Sequence, residues 1–255
     1  MKFWSRRQQS QPRSTNGCRL YAIGDVHGCF SLLVQLLQLI EQDQASRPPA
    51  ETHVLLLGDY IDRGPQSREV CELLHAMAPS SYFHCLRGNH EQTMLDVMSG
   101  NHMALRFWLE YGGAETLASW GIGPNLIEQA QYGEAGEADL IKAIRMAVPP
   151  AMARWMRRLP TYHIHGDYLF VHAGIRPKLD LERQSDDDLL WIREPFLSSR
   201  ARHPWRVIHG HSEDEDVQIA PNRIGIDTAA YRTGVLTAIG MEDDEFWTIQ
   251  TEPAP

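Results

Sequence analysis

The chain has 255 residues, 43 % of them hydrophobic, and a formal net charge of −9. A chain this long buries about 70 to 75 % of its unfolded surface in one core, so a single compact domain is expected and wholesale disorder is excluded. Lys2, Arg6, Arg7 and Arg13 are the only charged residues among the first 17, which leaves −13 on the rest (−9 less these four). Such a body repels nucleic-acid backbones, and no clustered Lys/Arg segment offers them a groove, so no nucleic-acid partner is expected.

The start, "MKFWSRRQQSQPRSTNG", is basic but has no apolar core of a signal peptide, and there is no run of 18 apolar residues anywhere in the chain. Residues 1–18 therefore read as a flexible basic tail and 19–255 as one domain, soluble, cytoplasmic and without a membrane partner. Cys18, Cys29, Cys71 and Cys85 show no C-x-x-C spacing and read as thiols of a reducing compartment.

Short apolar runs bounded by turn formers predict buried strands at Leu20–Ile23, His53–Gly58, Tyr82–Leu86, Tyr168–Val171, Trp205–Ile208, Arg223–Ile226, Val235–Ile239 and Phe246–Ile249. Helical stripes lie between the first three: Phe30, Leu33, Leu37 and Ile40, broadened by Val34 and Leu36, then Val70, Leu73, Leu74 and Met77. Strand, helix, strand, helix, strand is the order of a layered α/β core. Gln42–Thr52 reads as a loop. A helical insertion is expected over about 92–160, closed by the proline-led helix carrying Met152, Trp155, Met156 and Leu159, with an exposed turn-rich stretch inside it from Gly121. The strands after Ile208 look like hairpins rather than crossovers.

The polar residues that terminate the apolar runs are more informative than the runs themselves. The first run ends in Asp25 and His27, the second in Asp59, Asp62 and Arg63, and the third in Arg87, Asn89, His90 and Glu91. The fourth delivers His172 and Arg176, and the fifth His209 and His211. Loops at the carboxyl ends of strands are where open α/β folds keep their sites. Asp25, His27, Asp59, Asn89, His172 and His211 offer three imidazoles, two carboxylates and an amide oxygen. That mixture suits Mn, Fe or Zn better than Mg or Ca. Six donors are too many for one tetrahedral ion and fit two ions sharing a carboxylate, an arrangement that turns a bridging water into hydroxide and orients a phosphoryl group for in-line attack. Single residues read more blandly: His84 and His163 as satisfied or surface histidines, Asp180 and Asp186 to Asp188 as a solvated acidic turn, Met152 and Trp155 as core.

The blocks "GDVHG" (Gly24 to Gly28), "GDYIDRG" (Gly58 to Gly64), "RGNHE" (Arg87 to Glu91), "HAG" (His172 to Gly174) and "HGHS" (His209 to Ser212) resemble those of the phosphoprotein phosphatase family of calcineurin-like metallophosphoesterases, above all its bacterial serine/threonine members. The resemblance implies a four-layer α/β metallophosphoesterase fold, a mixed β-sandwich flanked by helices with metals along one edge. It puts Asp25, His27 and Asp59 on one metal, and Asp59, Asn89, His172 and His211 on the other, with Mn2+ or an Fe/Zn pair as cofactor. By the same resemblance His90 is the proton donor to the leaving oxygen, Asp62 its partner and Arg63 a phosphate clamp. Arg193, in "LLWIREPF", is favoured over Arg176 as the second phosphate arginine; Arg87 and Glu91 read as supports, and His209 has no assigned role. The segment "HGHSED" lacks a second histidine after Gly-His-x, which argues against the nuclease and cyclic-nucleotide branches.

The function expected is phosphomonoester hydrolysis, with a phosphorylated protein or small phosphomonoester as substrate. The alternative is a symmetrical bis(5'-nucleosyl)-tetraphosphatase with a nucleoside pocket along Met103 to Tyr111. A non-catalytic binding module on the same fold is the third reading.

Overall fold

A computed structural model describes residues 12–14 and 17–252. Most of the expected basic tail, including Lys2, Arg6 and Arg7, lies outside the described residues. Arg13 lies within them, and its backbone exchanges hydrogen bonds with Asp167 while its guanidinium stands 3.6 Å from Asp243.

Among the described residues, ten strands run in chain order as β1 (Cys18–Ile23), β2 (Glu51–Leu56), β3 (Phe83–Cys85), β4 (Tyr162–His165), β5 (Tyr168–Val171), β6 (Arg206–His209), β7 (Gln218–Ile219), β8 (Arg223–Gly225), β9 (Thr237–Glu242) and β10 (Glu245–Gln250). The helices are α1 (Phe30–Ser46), α2 (Ser67–Met77), α3 (Asn89–Ser99), α4 (His102–Glu110), α5 (Gly113–Ser119), α6 (Pro124–Ala130), α7 (Glu134–Ala147), α8 (Pro150–Arg158), α9 (Asp186–Trp191) and α10 (Ala230–Thr233).

The strands form two five-stranded sheets of order β10-β9-β1-β2-β3 and β4-β5-β6-β8-β7. β1, β2 and β3 are parallel, as are β5, β6 and β8, with antiparallel strands outside them. All six residues of β1 are buried because both its faces are covered, which is why Leu20–Ile23 read as a continuous apolar run. Leu20 and Ala22 join Leu55, Leu57, Tyr168, Phe170, Ile208 and Ile224 between the sheets. Tyr21 and Ile23 point the other way, into the core beneath the helices. Leu189 and Ile192 at the end of α9, together with Phe196, cover the outer face of the second sheet. The result is the four-layer architecture of two mixed sheets between helical layers.

Four expectations need correction. The loop read over Gln42–Thr52 shrinks to residues 47–50, because α1 continues through Ser46. Asp43 holds that last turn down, accepting hydrogen bonds from Tyr21 (2.6 Å), Arg47 (2.9 Å) and Trp247 (3.1 Å). The turn-rich stretch from Gly121 to Asp139 is mostly exposed, as expected, but contains α6 and the first six residues of α7. β4 and β7 were not expected: β4 is an edge strand that alternates histidines with exposed Tyr162 and Ile164, and β7 is two exposed residues long. Finally, β8 lies parallel to β6, a crossover, and among the described strands after Ile208 the hairpins are β7–β8 and β9–β10. No helix among the described residues is long and apolar enough to cross a membrane.

Candidate metal centre

Because the parallel strands share a direction, the loops that leave them gather at one edge of the sandwich. Their backbone is bent to do so. His27, Asp59, Asp62, Arg63 and His211 all have positive φ, between 44° and 75°. A left-handed conformation in a non-glycine residue costs on the order of 1–3 kcal/mol and persists only where surrounding structure imposes it. Glycine is obligatory at the closest approaches: a Cβ on Gly210 would stand 1.9 Å from Asp25 Oδ1, and one on Gly88 would stand 2.1 Å from Asp59 Oδ1.

Asp59 is the hub. Its Oδ2 lies 3.4 Å from His172 Nε2, 3.6 Å from His27 Nε2 and 3.8 Å from His90 Nε2, and its Oδ1 accepts a 3.0 Å hydrogen bond from His90 N. Burial alone would raise its pKa, but His172, His90, His27 and His211 together bring it below the ordinary carboxylate value. Asn89 Oδ1 lies 2.7 Å from His172 Nε2 and 2.9 Å from His211 Nδ1. Asp25 Oδ2 accepts from His211 N at 3.0 Å. Burial, then Asp227 and Asp59, push the Asp25 carboxyl well above its usual range.

Two donor groups result, His27/Asp59/His90 and Asp59/His172/His211, each with ligand atoms mutually within 4.8 Å, sharing Asp59. His90 rather than Asp25 completes the first triad. The residues fit cations. His27 Nδ1 donates to Ile61 O (2.8 Å) and His172 Nδ1 to Leu57 O (3.0 Å), since a carbonyl can only accept. Their Nε2 lone pairs therefore both face the Asp59 carboxylate, a pairing of acceptors that a positive ion resolves. Burial comes first among the causes that lower both imidazole pKa values, so a second proton does not settle it. Asp25 Oδ1 and His211 Nε2 are buried without hydrogen-bond partners among the described residues. Asp25, His27, Asp59, Asn89, His172 and His211 would hold two ions, which would supply Lewis acidity and a water-derived nucleophile at neutral pH.

A model of the calcineurin-like phosphoesterase family matches residues 18–235 of the chain. The chain belongs to that family. Of the relatives found, a symmetrical bis(5'-nucleosyl)-tetraphosphatase from Methylococcus capsulatus is 30 % identical over 163 residues, 64 % of this phosphoesterase but only 45 % of the relative. Serine/threonine-protein phosphatase 1 from Salmonella typhimurium is 29 % identical over 227 residues, 87 % of this chain and 91 % of the relative. The crystal structure of a candidate diadenosine tetraphosphatase superposes with a TM-score of 0.63 at 19 % identity, covering 96 % of this chain and all of that one, which speaks to the fold.

Beside the metal residues of this phosphoesterase, His90 Nδ1 lies 2.5 Å from Asp62 Oδ2. Burial opposes a charge on His90, yet Asp59 and the hydrogen-bonded Asp62 outweigh it and lift the imidazole to about 9. No pattern in the sequence marks what anchors Asp62. Trp108 Nε1 donates to Asp62 Oδ2 (2.7 Å) and Thr116 Oγ1 to Oδ1 (2.6 Å), while Asp62 N donates to Thr116 Oγ1 (2.8 Å) and Ser67 Oγ (3.0 Å). Trp108 and Thr116 come from α4 and α5, so the helical insertion reaches under the site to fix the histidine's partner.

Glu91 is fully buried and accepts from the backbone N–H groups of Asp59 (2.9 Å), Tyr60 (2.8 Å) and Gly88 (2.9 Å), tying the second and third loops together. Arg63 pairs with Glu213 and stacks 4.8 Å above the Tyr231 ring, itself 5.6 Å from the His27 ring. Glu213 and Tyr231 carried no sequence signal. Arg193 donates to His211 O (3.1 Å), at the mouth of the site. Arg176 instead pairs with Asp188, expected in a solvated turn, and Arg87 pairs with Asp186. His209 packs against Phe196 and does not reach the cluster around Asp59.

Proposed function

We propose that this phosphoesterase hydrolyses bis(5'-nucleosyl) tetraphosphates to two nucleoside diphosphates, taking simple phosphomonoesters more slowly. One observation carries the reading: an exposed aromatic shelf stands beside the metal centre. Phe107 and Tyr111 are 39 % and 49 % exposed, with ring centroids 4.4 Å apart and planes 30° from parallel. Trp191 lies 5.8 Å from Phe107 and 6.2 Å from the His211 ring. Exposed rings in mutual contact beside a phosphate site are a stacking platform for a nucleobase. Leu105 and Trp108 of the same helix are buried beneath it, so the shelf stands on packed side chains.

The roles follow from position. His90, held by Asp62, keeps a proton at the face of Asp59 for the leaving oxygen. Arg63 and Arg193 supply planar donor forks for phosphoryl oxygens, Arg63 by exchanging Glu213 for the substrate. The donor mixture favours Mn2+ or an Fe/Zn pair. The four cysteines, none paired, support a cytoplasmic setting.

Phosphoprotein hydrolysis is the second reading. It is favoured by the near full-length match to the Salmonella protein phosphatase. The two readings part in one experiment, a comparison of kcat/KM for diadenosine tetraphosphate and a phosphoserine peptide with the metal-loaded enzyme. The expected result is a clear preference for the dinucleotide with ADP as the nucleotide product. Preference for the peptide overturns the proposal.

A further inference from the structure

The space between the sheets is apolar from the metal centre through its middle, but not to its other end. There the inward-facing rows continue into Cys18 on β1, Glu51 and His53 on β2, His84 on β3, and His163 and His165 on β4. The registers place them. Cys18 lies opposite Glu51, Leu20 opposite His53, and Leu55 opposite His84 in the first sheet; His163 lies opposite Phe170 and His165 opposite Tyr168 in the second. Since Leu20, Leu55, Tyr168 and Phe170 all belong to the inter-sheet core, the alternation of side chains turns these six residues into the same seam. A sandwich interior calls for apolar side chains there.

The six are close. Cys18 Sγ, a Glu51 carboxylate oxygen and a His53 ring nitrogen lie within 4.8 Å of one another. His53 Nε2 is 3.2 Å from Glu51 Oε1, and its Nδ1 is 3.1 Å from His84 Nε2. The His165 ring lies 5.0 Å from that of His53, and its Nε2 is buried with no hydrogen-bond partner among the described residues. The His84 and His163 rings are 4.6 Å apart. Burial and then the neighbouring imidazoles lower the pKa of His84, His163 and His165.

We propose that this end of the sandwich is a second metal site, holding one zinc-like cation on Cys18 Sγ, a Glu51 oxygen and a His53 ring nitrogen, with a small movement of the adjacent His165 ring bringing its unpartnered Nε2 in as the fourth donor. Four donors of mixed sulfur, nitrogen and oxygen type match a closed tetrahedral site, and thiolate with imidazole selects zinc over magnesium or calcium. His84, on the other nitrogen of His53, orients that ligand. Binding releases the Cys18 thiol proton to solvent, with no redox change. The ion stitches β1 and β2 of one sheet to β4 of the other, near the edge where β3 and β4 end their sheets, so its role is structural. Such a site is independent of which phosphate ester the distant centre cleaves.

Titration of the metal-free full-length protein with Co2+ tests it. Thiolate-to-cobalt charge transfer gives a near-ultraviolet band that the oxygen and nitrogen donors around Asp59 cannot produce. The expected result is such a band in the wild-type protein, its loss in Cys18→Ser, its weakening in His165→Gln, and one ion fewer per chain by mass analysis in Cys18→Ser. That variant should still hydrolyse p-nitrophenyl phosphate. A folded wild-type protein without the band, or a band that survives Cys18→Ser, overturns the proposal. If Cys18→Ser does not fold, the weakening in His165→Gln decides.

Discussion

The two ends of the sandwich are both rich in histidine, yet they are built in opposite ways. At the metal centre the histidines sit just beyond the strands, some with the backbone forced to positive φ, and His27, His90 and His172 are aimed individually at Asp59. At the far end His53, His84, His163 and His165 sit within strands, and the sheet registers alone determine where they point. Loops allow ligands from five segments to converge on one carboxylate and leave room for a substrate. Strand positions give a cluster packed between the sheets, with Glu51 at its solvent side, which suits a structural role and not turnover.

The sharpest break between the ends is Asp59→Asn. It removes the charge that both donor groups share, so the variant should lose the ions of that centre and fall to background turnover while the far-end cobalt band persists. Simultaneous loss of both signals would show that the two ends are not independent. His90→Asn should keep metal content and lose about 10² to 10⁴ in turnover. The loss should be greater for a phosphoserine peptide than for a dinucleoside tetraphosphate, because a phosphate leaving oxygen, with a pKa near about 6, needs less protonation than an alkoxide. An equal loss on both substrates would mean His90 is not the acid.

Smaller effects probe what supports each end. Replacing Phe107 and Tyr111 together by Ala should lower kcat/KM for the dinucleotide by roughly ten- to a hundredfold, in line with the worth of base stacking, and lower it less for p-nitrophenyl phosphate. Equal losses would remove the shelf from substrate recognition. Trp108→Phe takes one hydrogen bond from the Asp62 carboxylate and should cost on the order of tenfold in turnover, without change in metal content.

At the far end the expected effect is mildest. His163 faces His84, His165, His53 and Phe170, and burial followed by the three imidazoles pushes its pKa down to about 4. Because that is below the unfolded value of about 6.5, its contribution to stability is complete above that pH and disappears as pH falls towards 4. His163→Phe should flatten this limb in thermal melts of the metal-free protein. An unchanged slope would mean the rings are not packed together.

The chain order of apolar runs and the polar residues that end them made the α/β class and the candidate ligands legible, because burial on both faces of a strand leaves a continuous apolar signature and loops at strand ends interrupt it abruptly. Edge strand β4 left no such trace, since one of its faces is exposed and the other, carrying histidines, is only half-buried.

What the sequence determined by itself is therefore local: where the chain is buried, where it turns, and which side chains of metal-binding type sit at the turns. Only the tertiary structure decided that Trp108 and Thr116, 46 and 54 residues from Asp62 in the chain, clamp its carboxylate, and that four scattered histidines share one seam. Periodicity reports on a residue's own element, whereas these contacts depend on how separate elements pack against one another.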